Sequence, residues 1–186
     1  MSPTPHAHRI DIAGLTRDLP LFEVAPGTRI AVLNVLGDTS LITAAADALS
    51  ERLAAIDYDV LVTAEAKSIP LIHALAVATG MPYVVLRKNY KPYMGDALQA
   101  ETRSITTGTT QTLFLDGKDR ARVTGARVVL VDDVISSGST LEAMRAIVQR
   151  ADARIAAEAA ILTEGERGNW QDVIALGHLP VFTDPD

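Results

Sequence analysis

The sequence contains no cysteine among its 186 residues. This absence excludes a disulfide scaffold, a thiolate nucleophile and a thiolate metal site, and it fits a reducing compartment. The first eight residues hold prolines and histidines but no apolar core, so we expect them to be loose and not a signal peptide. Together these absences predict a cytoplasmic protein.

The chain has no excess of positive charge and no long uninterrupted apolar run. Its 17 Lys and Arg stand against 23 Asp and Glu, and the net charge of −6 argues against a general nucleic-acid-binding surface. The apolar stretch 69–86 contains Pro70, Gly80 and Pro82, so it predicts a buried helix followed by a strand and not a membrane span. We therefore expect neither nucleic acid nor a membrane as a partner.

Two common nucleotide-binding motifs are also missing. The sequence has no G-x-x-x-x-G-K-[ST] loop and no G-x-G-x-x-G after a strand, which argues against P-loop and dinucleotide-binding enzymes. The four histidines, His6, His8, His73 and His178, do not have the spacing of a zinc site.

What is present predicts one domain spanning residues 1–186, because 48% of the residues are hydrophobic and only 22% are charged. Strands and helices alternate, which predicts an α/β fold with a mostly parallel central sheet flanked by helices. The predicted strands are 28–36, 59–63, 83–86, 127–131, 154–162 and 179–182. The predicted helices are about 38–55, 69–79, 139–150 and 173–176. Segments 102–107 and 110–115 flank Gly108 and predict a hairpin.

The most informative segment is VVLVDDVISSGST, residues 128–140. A buried strand delivers Asp132 and Asp133 to its carboxyl end, and a loop of Ser, Gly and Thr then leads into a helix N-terminus, where free N–H groups and the helix dipole favour an anion. An ordinary strand–loop–helix junction also uses Asp and Ser as turn formers and caps. The full run after an apolar strand favours a ligand that combines a phosphate, hydroxyls and Mg²⁺.

This segment resembles the phosphoribosyl pyrophosphate signature of the type I phosphoribosyltransferases. The resemblance implies that Asp132 and Asp133 contact the ribose 2′- and 3′-hydroxyls and help to place Mg²⁺, partly through water. It also implies that the rest of the run binds phosphoribosyl pyrophosphate, with the 5′-phosphate held by the loop. The residues concerned are Val134, Ile135, Ser136, Ser137, Gly138, Ser139 and Thr140.

A second segment, TAEAKS at 63–68, is similar to the pyrophosphate-binding loop of the adenine and xanthine members. Glu65, Ala66 and Lys67 match that loop, while Ser68 replaces the usual glycine. By resemblance we expect these four residues to bind pyrophosphate and the peptide bond Glu65–Ala66 to be cis. Taken alone, Lys67 would be a solvated residue at the start of a helix.

A third segment is similar to the Arg-Lys pair that ends a strand in the adenine members. Arg87 and Lys88, with Lys91 behind them, are expected to bind pyrophosphate. Residues 88–116 would then form a mobile lid hairpin that excludes water, and residues 1–37 would form the hood over the base.

Three departures from the family bear on the base. Ser136 stands where the hypoxanthine–guanine members carry an Asp, and Thr106 stands where many adenine members carry a Glu. Gly165 follows Glu164, where the xanthine members place a Lys. No base fits every position, and we expect a purine, adenine-like.

The resemblance implies attack of a base nitrogen on the anomeric carbon with pyrophosphate leaving, in purine salvage, with the catalytic work carried by Asp132, Asp133, Lys67, Arg87 and Mg²⁺. Glu101 and Glu164 are candidate acids, although each is as well explained as a surface carboxylate. The family implies a homodimer. The alternative is a non-catalytic sensor of phosphoribosyl pyrophosphate. Thr106 suits this alternative, but the acidic charge and the apparent lack of a preceding DNA-binding module oppose it.

Overall fold

The computed structural model describes residues 7–103 and 110–183. The strands in this part are β1 (Ala7–Ile12), β2 (Leu15–Ala25), β3 (Thr28–Ala31), β4 (Val60–Ala64), β5 (Tyr83–Leu86), β6 (Leu98–Arg103), β7 (Thr110–Leu115), β8 (Arg127–Ile135), β9 (Arg154–Glu164), β10 (Ile174–Leu179) and β11 (Phe182–Thr183). The helices are α1 (Thr39–Leu53), α2 (Ile69–Thr79), α3 (Arg120–Val123) and α4 (Ser139–Arg150).

The central sheet has five parallel strands in the order β10-β9-β8-β4-β5. Its middle strands are buried on both faces, which explains their continuous apolar sequences. Alternate residues enter different cores: Leu61 and Val129 pack on one face, and Val62 and Leu130 on the other. This arrangement confirms the predicted α/β fold.

Helices α1 and α2 cover the first face. Asp38 caps α1 by accepting the N–H of Leu41 at 3.1 Å, and Leu49 lies on the buried side of this helix. Helix α2 begins with Pro70 in its first turn and ends at Gly80, whose φ of 70° requires a residue without a side chain. Both ends of α2 and the full extent of β5 agree with the sequence prediction.

Helix α4 and the β6–β7 hairpin cover the second face. The hairpin contributes Ala100, Leu113 and Leu115 to the same core as Met144 and Ile147 of α4. Within the described part of the predicted lid, both strands therefore contribute residues to the core, whereas residues 88–93 are exposed. The segment 104–109, which includes Thr106 and Gly108, lies outside the described residues.

An antiparallel sheet in the order β1-β2-β3-β11 contains most of the predicted hood region. Ile12, Leu19 and Ala31 of this sheet join the core that α1 and α2 form on the first face. The predicted hood therefore has its own sheet and shares a hydrophobic core with the parallel sheet.

Several predicted boundaries or elements are wrong. Residues 173–176 are not a helix, because β10 runs from Ile174 to Leu179 beside β9, and the last strand is Phe182–Thr183 and not 179–182. A short apolar run has no periodicity that separates strand from helix, which explains the first error. Residues 7 and 8 are not loose but begin β1.

The predicted strand 28–36 ends at Ala31, because its pairing with β2 ends there. Strand β2 pairs with β3 only through Leu21–Ala25 and pairs with β1 from Leu15 to Pro20. Among the described helices, none is long and apolar enough to cross a membrane.

Candidate functional site

The three sequence motifs meet at one edge of the central sheet. Strands β8, β4 and β5 are neighbours and run parallel, so their carboxyl ends lie side by side. The loop 65–68 follows β4, Arg87 and Lys88 follow β5, and the phosphate loop follows β8. Strand β8 continues to Ile135, beyond its predicted end at Val131, so both aspartates lie within the strand.

Asp132 and Asp133 are buried side chains joined by the hydroxyl of Ser68. The Ser68 hydroxyl donates to Oδ1 of Asp132 at 2.7 Å, accepts the N–H of Asp133 at 3.0 Å and lies 3.0 Å from Oδ1 of Asp133. The ladder between β8 and β4 ends at Leu130 and Val62, so the hydroxyl supplies an acceptor where the strand pairing has stopped. Loop 65–68 and strand β8 are thereby fastened together.

The electrostatics of this pair are unfavourable without a cation. Burial, and then the charge of Asp133, raises the pKa of Asp132 to about 7, while the hydrogen bond from Ser68 acts in the opposite direction. An arginine or lysine bonded to the pair would lower this pKa, but within the described ranges neither carboxylate has such a partner. The carboxylate pair therefore carries a negative charge that a cationic ligand can neutralise.

The donor chemistry of the pair fits Mg²⁺. In the described part of the chain no three His, Cys, Asp or Glu side chains are grouped as a metal cage. The protein would offer only the oxygens of Asp132 and Asp133. Mg²⁺ keeps several waters and is commonly held by one or two carboxylates together with phosphates of a ligand, so this sparse set suits Mg²⁺ carried by a phosphorylated ligand.

The loop between β8 and α4 forms a small anion cradle. A cavity of about 30 Å³ is lined by Asp132 and by the residues from Val134 to Leu141. The first amides of α4 have no intrahelical acceptor and face outward at the positive end of the helix dipole. Ser137 and Ser139 add hydroxyls 3.1 Å apart. This cradle holds all of the residues predicted to bind the 5′-phosphate.

Gly138 is held in place by a residue that the sequence did not point to. Its φ is 77°, and a Cβ at this position would lie 2.8 Å from Cη2 of Trp170. The indole Nε1 of Trp170 donates to the carbonyl of Glu164 at 2.9 Å. The ring therefore lies against the start of α4, and no local sequence pattern could have indicated a contact 32 residues away.

The loop after β4 contains the expected cis peptide bond between Glu65 and Ala66. Together with Lys88 and the two aspartates, the loop lines a cavity of about 380 Å³. The ammonium groups of Lys67 and Lys88 have no hydrogen-bond or ion-pair partner within the described residues. This cavity thus places two available cations beside the carboxylate pair.

The other predicted cations lie apart from this cavity. Arg87 donates from Nε to Oε2 of Glu65 at 2.5 Å, and Oε1 of Glu65 accepts the N–H of Lys88 at 2.6 Å. Arg87 also pairs through its backbone with Phe114 and lines a neighbouring cavity of about 620 Å³. Lys91 lines neither cavity. Glu65 thus neutralises Arg87, and pyrophosphate binding by Arg87 and Lys91 stays a prediction.

The candidate acids Glu164 and Glu101 lie on different strands, β9 and β6. Glu164 ends β9, and burial raises the pKa of its carboxyl group. Beside it, Nδ1 of His178 lies 3.0 Å from the hydroxyl of Thr163, and burial together with Arg167 lowers the pKa of this imidazole. Glu101 lies on β6, where Oε1 accepts a long hydrogen bond of 3.5 Å from Thr112.

Comparison with known protein families agrees with this geometry. The model of the phosphoribosyl transferase domain matches residues 36–172, which is more than half of the chain and includes all three motifs. The chain belongs to the phosphoribosyltransferase family. The resemblance inferred from the three motifs is therefore confirmed.

Curated relatives of the chain share about a third of its residues over the matched part. It is 37% identical over 118 residues to a hypoxanthine/guanine phosphoribosyltransferase of Methanococcus maripaludis, covering 63% of this chain and 58% of the relative. It is 36% identical over 106 residues to the same named enzyme of Methanocaldococcus jannaschii, covering 57% of this chain and 54% of the relative. The chain thus spans little more than half the length of these relatives.

Solved structures confirm the fold. The adenine phosphoribosyltransferase of Thermoanaerobacter pseudethanolicus superimposes with a TM-score of 0.65 at 21% identity, covering 93% of this chain and 95% of that one. The Giardia lamblia enzyme complexed with 9-deazaadenine gives 0.64 at 18% identity, covering 77% of this chain and 82% of that one. The chain therefore has the type I phosphoribosyltransferase fold.

Proposed function

We propose that this protein transfers the phosphoribosyl group of phosphoribosyl pyrophosphate to a purine base, releasing pyrophosphate and a nucleoside monophosphate. One observation carries the proposal. The cavity beside the buried carboxylate pair also holds Lys67 and Lys88, and it adjoins the anion cradle at the start of α4. These three features match the diol, the pyrophosphate and the 5′-phosphate of one ligand.

Each group of residues binds the part of the ligand that suits its charge and its hydrogen-bonding groups. The cradle from Ser136 to Thr140 holds the 5′-phosphate, and Asp132 and Asp133 accept hydrogen bonds from the ribose hydroxyls. Lys67 and Lys88 offset the charge that develops as pyrophosphate leaves. Mg²⁺ held by the carboxylates and the pyrophosphate would add further neutralisation there.

The reaction needs no nucleophilic side chain. A purine ring nitrogen forms a bond to the anomeric carbon while the bond from that carbon to pyrophosphate breaks, and the configuration at carbon inverts. The proton of the purine nitrogen passes to a base or to water. The protein contributes chiefly by holding both reactants in line, because bound and oriented reactants have a lower barrier to reaction than reactants that must meet in solution.

The identity of the purine rests on two opposing indications. The relatives at 36–37% identity are named hypoxanthine/guanine phosphoribosyltransferases, which favours a 6-oxopurine. Ser136 stands where the hypoxanthine–guanine members carry an Asp, which favours adenine. The proposal therefore names the purine class, and the experiment includes each base.

The assembly and its setting complete the proposal. The sheet β1-β2-β3-β11 is the hood over the base, and the segment 88–116 acts as the lid. The protein is a homodimer that acts in cytoplasmic purine salvage. The family membership supports these assignments, and the absence of cysteine supports the compartment.

The experiment mixes the purified protein with Mg²⁺, phosphoribosyl pyrophosphate and, separately, adenine, hypoxanthine, guanine, xanthine, uracil or orotate, and it measures pyrophosphate release. Release with one or more purines is expected. Release only with a pyrimidine would contradict the purine assignment. Absence of pyrophosphate release together with tight binding of phosphoribosyl pyrophosphate would indicate that the protein is a non-catalytic sensor and not an enzyme.

A further inference from the structure

Ser68 lies in an environment that differs from its expected role. The resemblance to the family places it in a pyrophosphate-binding loop, at a position where glycine is usual. In the structure its side chain is only 1% exposed and its hydroxyl contacts both aspartates of β8. The hydroxyl is therefore directed towards the carboxylate pair.

The hydrogen bonds around this hydroxyl fix how the carboxylates are oriented. Oδ1 of Asp132 accepts from Ser68 at 2.7 Å and from the N–H of Asp133 at 2.9 Å, while Oδ1 of Asp133 lies 3.0 Å from the same hydroxyl. Within the described residues the two Oδ2 atoms have no hydrogen-bond partner. Every side-chain oxygen that is fully buried there does have a partner. The Oδ2 atoms are therefore accessible, and both aspartates line the 380 Å³ cavity.

Ser68 also gives up the role that a serine usually has at its position. It is the N-cap residue of α2, where a serine side chain commonly accepts an N–H from the first turn. Its side chain makes no capping hydrogen bond. The hydroxyl thus serves the aspartates instead of its own helix, which indicates a role in the site and not in helix stability.

We propose that Ser68 is a positioning residue: its hydroxyl holds Asp132 and Asp133 so that their Oδ2 atoms face the ribose diol. This inference rests on the proposed function, because it takes the diol as the ligand of the carboxylates. It replaces a contact with pyrophosphate by an action through the aspartates. Ser68 then contributes to affinity for the sugar and not for either phosphate group.

The test compares three ligands in EDTA, without divalent metal: inorganic phosphate, ribose 5-phosphate and inorganic pyrophosphate. Trp170 is the only tryptophan and lies against the cradle, so its fluorescence reports binding to the cradle, and calorimetry provides an independent measurement. In Ser68→Ala we expect about a tenfold loss of affinity for ribose 5-phosphate, since one charge-assisted hydrogen bond orients the diol ligands. Affinities for phosphate and pyrophosphate should stay within about twofold of wild type.

Thr63→Val is the matched control. Thr63 is also buried beside the site, but its hydroxyl donates to the carbonyl of Val131 at 2.6 Å and not to a carboxylate. This variant loses a buried hydroxyl, and it should bind ribose 5-phosphate as wild type does. An equal loss in both variants would show a general structural effect and would overturn the proposal, with circular dichroism establishing that both variants are folded.

The remaining outcomes separate the two proposals. If wild type binds ribose 5-phosphate more tightly than phosphate and Ser68→Ala does so equally well, the positioning role is overturned while the proposed function stands. Loss of pyrophosphate affinity alone in Ser68→Ala would make Ser68 a direct pyrophosphate contact. If wild type binds ribose 5-phosphate no better than phosphate and does not bind phosphoribosyl pyrophosphate, both proposals fail.

Discussion

Two sets of carboxylates lie at the same edge of the sheet and are handled in opposite ways. Glu65, after β4, is matched by the guanidinium of Arg87 and the N–H of Lys88. Asp132 and Asp133, on the adjacent strand β8, have among the described residues only a hydroxyl and a backbone N–H between them. A carboxylate that the fold neutralises serves structure, whereas buried carboxylates left without a cation indicate where a cationic or hydroxyl-bearing ligand binds.

The largest test of this comparison removes the unneutralised charges. In Asp132→Asn with Asp133→Asn we expect binding of phosphoribosyl pyrophosphate with Mg²⁺ to weaken by about a hundredfold or more, because two charge-assisted contacts are lost. Calorimetry measures the affinity. Asp47→Asn, an exposed change on α1, is the control and should bind normally. Unchanged affinity in the double variant would remove the carboxylates from the site.

The second test asks what the same charge costs the fold. The carboxyl of Asp132 titrates near 3.9 in an unfolded chain but at about 7 in the folded protein. Below about pH 4 the carboxyl of Asp132 is protonated in both the folded and the unfolded state, so it does not affect stability. As the pH rises from about 4 to about 7, the folded state loses stability because the unfolded chain releases this proton more readily.

Asp132→Asn removes this pH-dependent loss. We expect the variant to exceed wild type in free energy of unfolding by about 4 kcal/mol more at pH 8 than at pH 4. Urea unfolding at both pH values gives the difference. If the difference in free energy of unfolding between variant and wild type does not change with pH, then ionisation of Asp132 does not destabilise the folded protein.

The third test addresses the unpaired cations. Lys67→Ala should raise the KM for phosphoribosyl pyrophosphate by about tenfold, because one cation facing the pyrophosphate is lost. Affinity for ribose 5-phosphate should be unchanged, since that ligand has no pyrophosphate. A loss of affinity for both ligands would place Lys67 elsewhere in the site.

The smallest effect is expected on the neutralised side. Glu65→Gln weakens the pairing with Arg87, whose side chain is 35% exposed, so solvent screening should limit the loss of unfolding free energy to about 0.5 kcal/mol. Thermal unfolding measures this change. If Glu65→Gln instead lowers the free energy of unfolding as much as breaking a buried charge pair does, then the environment of Glu65 resembles that of Asp132 and Asp133.

Much of the site could be predicted because its chemistry is local in sequence. The residues from Val128 to Thr140 join strand, loop and helix start without interruption, and their ligand chemistry follows from residue type and order. The ends of α2 were predictable for the same reason, since Pro70 and Gly80 determine them through backbone geometry alone.

What could not be predicted depends on strand order. The contact of Ser68 with Asp133 spans 65 positions and exists only because β4 lies beside β8. The pairing of Glu65 with Arg87 likewise requires β5 beside β4. Strands β1 and β2 were not predicted at all, because their sheet alternates exposed and half-buried residues without a strong apolar signal.

The contact between Gly138 and Trp170 imposes two constraints of different origin on a single α-carbon. The positive φ of Gly138 penalises any side chain through backbone strain, while the indole ring penalises it through a clash. Shrinking Trp170 would remove the clash and leave the strain. A smaller residue at position 170 would therefore relieve only one of the two penalties on a substitution at position 138, so the two positions depend on each other for the clash and not for the backbone strain.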